Sequence, residues 1–303
     1  MAAMKPLYKG EAHRAELLRL YAEKLASLDL ACTETFVETS AGRTSVLIAG
    51  EAGLPPVVLI HGVTASAPIA LEPIKGLARR YRIYAVNCVG APNPSAETRL
   101  SMRGGGYGDW LAEVVDGLGL RKPPFIAASY GAFVLQRLVA THPDRIGSIV
   151  FVVPAGFANG GLLPTLFKVL LPLMRFYRTR KERDLIRFMD AFFTRIDAYA
   201  IAWQKAALLG LNLDLRKPPV LTEKEAAGFA GPVHMLAAGN DVFFPAPAGI
   251  ARCRKLFRGF RGAVILEAAK HVPAAEDYPR IESQAGGWLD SVLQADRSGG
   301  KIL

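Results

Sequence analysis

The stretch FIAASYGAF, residues 125–133, places a serine between small residues at the junction of two different patterns. Residues 125–128 form a short apolar run, which is typical of a strand that is buried on both faces of a sheet. The sequence YGAFVLQRLVATH that follows has helical periodicity and ends before Pro143. Ser129 therefore lies where a buried strand is predicted to pass directly into a helix.

The residues around Ser129 match the nucleophile-elbow motif G-x-S-x-G except at one position. Gly131 occupies the second glycine position, whereas Ala127 replaces the first. Strain at such a turn falls on the serine, so the preceding position needs a small volume rather than the conformational freedom of glycine. A buried serine that bonds a backbone carbonyl would produce the same local pattern, and the stretch alone leaves both interpretations open.

Strand and helix patterns alternate on both sides of this stretch. Two alternating segments, residues 32–40 and 43–50, predict an antiparallel pair. Further apolar strand patterns occupy residues 55–62, 82–90, 123–129, 146–154, 231–241 and 262–271. Helical patterns occupy residues 11–28, 71–81, 107–118, 130–142, 247–257 and 278–293. This order predicts an α/β protein with a mostly parallel, twisted central sheet that is flanked by helices.

The alternation stops between residues 155 and 219, where the sequence is helical, apolar and basic and has no strand pattern. We interpret this segment as a helical cap that is inserted into the α/β unit. The predicted organisation is a core of residues 1–154 and 220–303 and a cap of residues 155–219.

The formal net charge of +10 raises the question of a nucleic-acid partner. The densest basic cluster lies between residues 175 and 187, and no nucleic-acid-binding module pattern accompanies it. We therefore predict no nucleic-acid partner and interpret the cluster as a solvated helix face, with an anionic substrate or weak peripheral membrane contact as alternatives. The most apolar run, residues 161–174, is broken by Pro164, Lys168 and Pro172, so no integral membrane segment is expected.

The three cysteines, Cys32, Cys88 and Cys253, are too few and too dispersed for a disulfide framework or a zinc site. The first residues also lack the continuous apolar region of a secretory signal. We therefore expect a cytoplasmic protein with no metal site.

A serine nucleophile needs a base, which is most often a histidine. Of the five histidines, His13 lies in a predicted surface helix, His142 at a helix end and His234 inside a buried strand. His61 ends a strand and is expected to shape a loop. An exposed His142 is harder to exclude as the base on sequence alone. His271 follows the last predicted strand in a loop, and it is the preferred base.

An acid that orients the histidine should also follow a strand. Asp241 is the last residue of the strand pattern of residues 231–241 and follows its apolar part. Ser129, Asp241 and His271 would then all lie at the carboxyl ends of parallel strands, where ligands bind in open α/β sheets. We predict that these three residues form a catalytic triad.

The motifs VVLIHG, AASYGAF, LAAGNDVFFP and EAAKHVPAAEDYP resemble those of the α/β-hydrolase superfamily, over nearly the whole chain. The combination is similar to the capped, esterase-type serine hydrolases. The resemblance implies that Ser129 attacks a carbonyl carbon with His271 as general base. It also implies an oxyanion hole made by the backbone N–H groups of Tyr130 and of Val63, with Thr64 as the alternative to Val63. No cofactor is implied.

A serine at the elbow, rather than the aspartate of haloalkane dehalogenases and epoxide hydrolases, implies acyl chemistry. We expect hydrolysis of an ester or related acyl bond in a small, largely apolar substrate through an acyl-enzyme. Perhydrolase activity, carbon–carbon bond hydrolysis, an interfacial lipase, and a weakly catalytic or non-catalytic ligand-binding protein are the alternatives left open. Oligomeric state is not predicted.

Apolar side chains in the cap suggest how the substrate could be held. Phe167, Met174, Phe188 and Phe192 are candidates for an apolar pocket. Packing of the cap onto the core is the simpler explanation for most such residues, and the sequence does not separate the two.

Overall fold

The computed structural model describes residues 6–214 and 218–299. Its eight strands form one sheet in the order β1-β2-β4-β3-β5-β6-β7-β8. β2 is antiparallel to both β1 and β4, and the remaining neighbours are parallel. The strands are β1 (Cys32–Val37), β2 (Thr44–Ala49), β3 (Pro56–Ile60), β4 (Arg82–Val86), β5 (Phe125–Ala128), β6 (Ile149–Val152), β7 (Val233–Ala238) and β8 (Phe260–Leu266).

Helices connect the parallel strands and cover the sheet. They are α1 (Glu11–Ser27), α2 (Ala67–Leu71), α3 (Gly106–Gly117), α4 (Tyr130–Thr141), α5 (Leu162–Thr165), α6 (Leu171–Thr179), α7 (Glu182–Met189), α8 (Ala198–Gly210), α9 (Glu223–Ala226), α10 (Ala246–Leu256) and α11 (Tyr278–Gly299). A single π-type turn, Leu166–Leu170, joins α5 to α6. The predicted fold class is confirmed.

Two helical predictions differ from the structure. The helix expected over residues 71–81 begins earlier, as α2, and continues as a 3₁₀ segment, Glu72–Arg79, with non-helical φ/ψ at Ile74. Pro73 lacks a backbone N–H and cannot extend the hydrogen-bond ladder of α2, which accounts for the break. The last helix extends to Gly299 rather than ending near Leu293.

Both faces of the sheet are buried along the inner strands β2 to β7, as their continuous apolar patterns predict, whereas the edge strands β1 and β8 are partly exposed. One core cluster includes Phe125, Ala127 and Phe133, and the cluster on the other face includes Leu59 and Ile126. Burial of each large apolar side chain contributes about 2 kcal/mol to the free energy of unfolding. This packing fixes the positions of the strand ends that carry the candidate site.

The chain between β6 and β7 is helical and contains the predicted cap segment, of which residues 215–217 lie outside the described residues. α6, α7 and α8 share a third apolar cluster, which includes Phe176, Phe188 and Met189. Val242, Phe243 and Val272 pack against this cluster. The helical segment is thus anchored on the loops that follow β7 and β8. None of the helices in the described part of the chain is long and apolar enough to span a membrane.

Candidate active site

Ser129 occupies the turn between β5 and α4, with φ 49° and ψ −117°. This region of φ/ψ space is unfavourable for a residue with a side chain, and it persists only where the surroundings enforce it. The Ser129 N–H donates to the carbonyl oxygen of Val152 at 2.9 Å, and its own carbonyl accepts from Ala132 and Ala155 at 3.0 Å each. Hydrogen bonds on both sides therefore hold the serine at this conformation.

The two small residues that flank Ser129 meet different requirements. A Cβ at Gly131 would lie 2.5 Å from the carbonyl oxygen of Ile60, so the helix approaches β3 too closely for any side chain. Ala127 lies in β5, fully buried, and is paired with Ile60 and Phe151 on the neighbouring strands. At that position the sheet accommodates one methyl group, as predicted for the departure from the G-x-S-x-G motif.

Three side chains from separate turns and loops, those of Ser129, His271 and Asp241, form one hydrogen-bonded series. The Ser129 Oγ lies 2.9 Å from Nε2 of His271, and Nδ1 of His271 lies 2.8 Å from Oδ2 of Asp241. The side chains of Asp241 and His271 are 1% and 11% exposed. The structure thus brings together all three residues that the sequence predicted as a triad. The remaining candidate, His142, instead pairs with Asp109, 2.9 Å away on α3.

The Asp241 carboxylate is oriented by its own loop. Oδ1 accepts the backbone N–H groups of Phe243 at 2.8 Å and Phe244 at 3.0 Å, which leaves Oδ2 for His271. The rings of Phe243 and Phe244 also meet the imidazole edge to face, with centroids 5.3 Å away in both cases. These contacts restrict the imidazole to one plane.

The loop after β3 lies against Ser129. A Cβ on Gly62 would be 3.2 Å from the Cβ of Ser129, so the backbone passes directly beside the serine. Within the described residues, the backbone N–H groups of Val63, Thr64 and Tyr130 donate no hydrogen bond to another group of the protein. All three remain available to a bound oxyanion, so the alternative between Val63 and Thr64 stays open.

Two buried side chains support this loop from behind. His61 is held between the carbonyl oxygen of Gly62, 2.7 Å from Nδ1, and the N–H of Cys88, 2.9 Å from Nε2. Burial lowers the pKa of His61 to about 4, so it is neutral at physiological pH and can accept at Nε2. Asn87 accepts the N–H of Ala67 at 2.9 Å, at the start of α2. His61 thus shapes the loop, as the sequence predicted.

The cap segment also contacts the loop after β3. The indole N–H of Trp203, on α8, donates to the carbonyl oxygen of Thr64 at 2.6 Å. Thr64 itself has φ 51°, a left-handed conformation that is unusual for a β-branched residue. The hydrogen bond therefore holds the loop in a conformation that Thr64 does not favour intrinsically.

The four predicted pocket residues divide into two pairs. Phe188 and Phe192 are buried in the cap cluster, and the ring of Phe192 lies 5.3 Å from that of Phe243. Phe167 and Met174 are 61% and 65% exposed. The Phe192 ring therefore contacts Phe243, which in turn contacts His271. Phe167 and Met174 face the exterior.

Sequence reasoning missed the supporting role of Phe243, Phe244 and Trp203. The pattern DVFFP after β7 carries a weak signal, because an aspartate often caps the N–H groups two and three residues ahead. Trp203 gave no signal, since its partner lies 139 positions earlier in the chain. Among the described residues, no three His, Cys, Asp or Glu side chains are grouped so that they could hold a metal ion.

Comparisons with known proteins agree with the fold. Residues 55–195 match the family model described as the alpha/beta hydrolase fold. The solved structure of naproxen esterase (carboxylesterase NP) from Bacillus subtilis superimposes with a TM-score of 0.78 at 21% identity, covering 93% of this chain and 99% of that one. Together with the sheet order described above, the match shows that the chain has the α/β-hydrolase fold.

Two curated relatives come from Bacillus subtilis (strain 168). The protein named uncharacterized carboxylesterase nap is 31% identical over 135 residues, which is 45% of this chain and 45% of the relative. Carboxylesterase YbfK is 27% identical over 282 residues, or 90% of this chain and 94% of the relative. The chain thus matches less than half the length of the first relative and nearly all of the second.

Proposed function

We propose that this protein is a serine hydrolase of the carboxylesterase type, which cleaves an ester or related acyl bond of a small, largely apolar substrate. The hydrogen-bonded series from Ser129 Oγ through His271 to Asp241 carries the proposal. A serine hydroxyl is a weak nucleophile unless a positioned base accepts its proton. The resemblance to proteins named carboxylesterase supports an ester as the substrate.

In the first half of the reaction, Ser129 Oγ attacks the carbonyl carbon while its proton passes to Nε2 of His271. Asp241 keeps the Nδ1 proton on the opposite side of the ring and stabilises the imidazolium. Collapse of the tetrahedral intermediate breaks the bond to the alcohol, which leaves with the proton from Nε2. An acyl ester of Ser129 remains.

In the second half, water replaces the alcohol. His271 accepts a proton from the water, whose oxygen attacks the acyl carbon, and the proton then returns to Ser129 Oγ as the acid is released. In both halves negative charge develops on the former carbonyl oxygen. The N–H groups of Tyr130 and Val63 would stabilise it by about 3 kcal/mol each.

The helical segment supplies the apolar character of the proposed site. Residues 155–219 would act as a cap, and the Phe192 and Phe243 rings bring apolar surface close to His271. Such surface favours an apolar acyl or aromatic group over a charged one. Phe188 would support Phe192 from within the cap, with ring centroids 5.0 Å apart.

The direct test is hydrolysis of p-nitrophenyl acetate, butyrate, octanoate and laurate by the wild type and by Ser129→Ala. We expect activity on the shorter esters and a loss of at least about a thousandfold in kcat in the variant. A fluorophosphonate probe should label the wild type at Ser129 and leave Ser129→Ala unlabelled. Labelling elsewhere, with unchanged hydrolysis in the variant, would refute the assignment of the nucleophile.

The same experiments separate the alternatives. Labelling of Ser129 without turnover of any ester would favour a ligand-binding or carbon–carbon bond hydrolase function. Formation of peracid from an ester and hydrogen peroxide in excess of hydrolysis would indicate a perhydrolase.

A further inference from the structure

One helical segment of the cap exposes an unusual amount of apolar surface. α5, the π-type turn and α6 together cover residues 162–179. Seven of the eleven exposed large apolar side chains in the described residues lie within its first thirteen positions. They are Leu162, Leu163, Leu166, Phe167, Leu170, Leu171 and Met174. We refer to these seven residues as the exposed apolar face.

The exposed apolar face lies on a different side of the segment from the residues that pack on the protein. Val169, Leu173 and Phe176 are buried in the cap cluster. Leu163 and Leu170, separated by seven positions or about two helical turns, are 66% and 42% exposed. The segment is therefore apolar on both sides. A concentrated apolar surface of this kind marks an interaction site rather than the ordinary scatter of exposed leucines.

Basic residues border this face at its C-terminal end. Residues 168–187 contain seven lysines and arginines and two carboxylates, Glu182 and Asp184. Asp184 is buried and engaged with Arg175 at 2.7 Å and Thr179 at 2.6 Å, so it offsets little of the charge presented to the outside. Besides Arg175, which is exposed but paired with Asp184, the exposed basic residues of this border are Lys168, Arg178, Arg180, Lys181, Arg183 and Arg187.

We propose that the exposed apolar face and its basic border dock this protein peripherally onto an anionic lipid bilayer. A helix that presents leucine and phenylalanine beside lysine and arginine lies in the interfacial region of such a membrane. The apolar side chains enter the headgroup boundary while the cations meet anionic lipids. A symmetric dimer through the same face would bring two positively charged borders together, which disfavours a second copy as the occupant.

The docking face begins beside the candidate active site. The N–H of Gly160 donates to the carbonyl oxygen of Phe243 at 2.6 Å, two residues before the helix starts. Phe243 in turn contacts His271. Docking would therefore bring the catalytic centre close to the bilayer, where it could receive amphiphilic esters. This last step rests on the proposed function, whereas the docking itself does not.

The test is sedimentation of the Ser129→Ala variant of this chain with vesicles, which measures binding independently of turnover. One set of vesicles contains phosphatidylcholine alone, and the other contains phosphatidylcholine with phosphatidylglycerol. We expect binding at least about tenfold tighter to the anionic vesicles, and weakening at high salt. Two double variants test the two parts of the surface. One carries Leu163→Ser and Leu170→Ser, and the other carries Arg178→Glu and Lys181→Glu. Each should reduce the affinity for anionic vesicles about tenfold or more.

A matched control is Phe36→Ser, which removes an exposed apolar side chain from β1, outside the cap. It should leave vesicle binding unchanged, and thermal unfolding should show that all variants are folded. The proposal is overturned if the wild-type protein binds neither kind of vesicle, or if the paired leucine change has no more effect than the control. It is equally overturned if light scattering shows a dimer that the paired leucine change dissociates and the protein binds no vesicles. Failure of the ester assays would leave the binding result intact.

Discussion

Ser129 is held in a backbone conformation that costs on the order of 1–3 kcal/mol. Three backbone hydrogen bonds, to Val152, Ala132 and Ala155, compensate for this cost. The strain lifts the hydroxyl away from the end of β5 and toward the loop that carries His271. At the residue scale, the turn allows no side chain at position 131 and a small side chain at position 127.

Changing Ala127 should test the imperfect elbow motif. Ala127→Gly should retain kcat/KM on p-nitrophenyl butyrate within about threefold, because the backbone strain falls on Ser129. Ala127→Val adds two methyl groups in a fully buried position between Ile60 and Phe151, and it should destabilise the protein by about 1–3 kcal/mol. Urea unfolding measures the second effect. A fully active Ala127→Val protein of unchanged stability would contradict this account.

A change at Asp241 should test the orientation of the histidine. In Asp241→Asn an amide oxygen can still accept from Phe243 and Phe244, but the amide nitrogen then faces Nδ1 of His271. The tautomer that leaves Nε2 free is disfavoured, so kcat should fall about ten-thousandfold with little change in Tm. Asp109→Asn is the matched control, since it alters the other His–Asp pair, with His142. Equal losses in both variants would argue against the triad.

At the scale of elements, the helical segment between β6 and β7, which is the predicted cap, contacts the rest of the chain at the loops that carry the candidate site. Val272 donates to Phe192 at 2.8 Å and accepts from Thr194 at 2.9 Å, so an isolated parallel bridge joins the segment between β6 and β7 to the residue after His271. On the opposite side, Trp203 holds Thr64. The cap segment thus supports both the histidine loop and the loop proposed for the oxyanion hole.

Trp203→Phe should separate positioning from packing. The variant keeps an aromatic ring next to Tyr199 but removes the N–H that binds Thr64. Loss of this one hydrogen bond should lower kcat about tenfold and weaken a boronic-acid transition-state analogue to a similar degree, with KM almost unchanged. Trp288→Phe, which alters an indole stacked on His234, is the control. A lower Tm with unchanged kcat would show that Trp203 serves packing alone.

At the scale of the whole molecule, buried histidines link stability to pH. Burial lowers the pKa of His61 to about 4, and burial together with the charge of Arg261 lowers that of His234 to about 4. Between about pH 4 and 6.5 the unfolded chain binds protons that these folded imidazoles do not. The free energy of unfolding should therefore fall as the pH decreases through this range.

Urea unfolding of Ser129→Ala at several pH values measures this dependence. Each histidine should contribute a slope of up to about 1 kcal/mol per pH unit. His234→Gln should remove its share of the slope while that of His61 remains. A stability that is constant or rises on acidification from pH 6.5 would contradict the effect of burial.

The sequence predicted the order of strands and helices because periodicity is a local property. Continuous apolar runs identified the parallel strands, and the break after residue 154 identified the helical segment between β6 and β7. The extent of the helix at residues 71–81 was wrong, because the break at Pro73 depends on local hydrogen bonding that periodicity does not report. Ser129, Asp241 and His271 could be selected because parallel strands deliver their carboxyl ends to one edge.

Contacts between distant segments could not be read in this way. Ser129 and His271 are 142 positions apart, and only the sheet order brings their side chains to 2.9 Å. The Trp203–Thr64 hydrogen bond depends on how α8 packs on the rest of the chain. The exposure of residues 162–174 depends on which side of that helical segment packs against the protein. Local patterns thus define the class of fold and the candidate residues. The packing of the helical segment between β6 and β7 onto the sheet decides how the loops are held and which surface stays exposed.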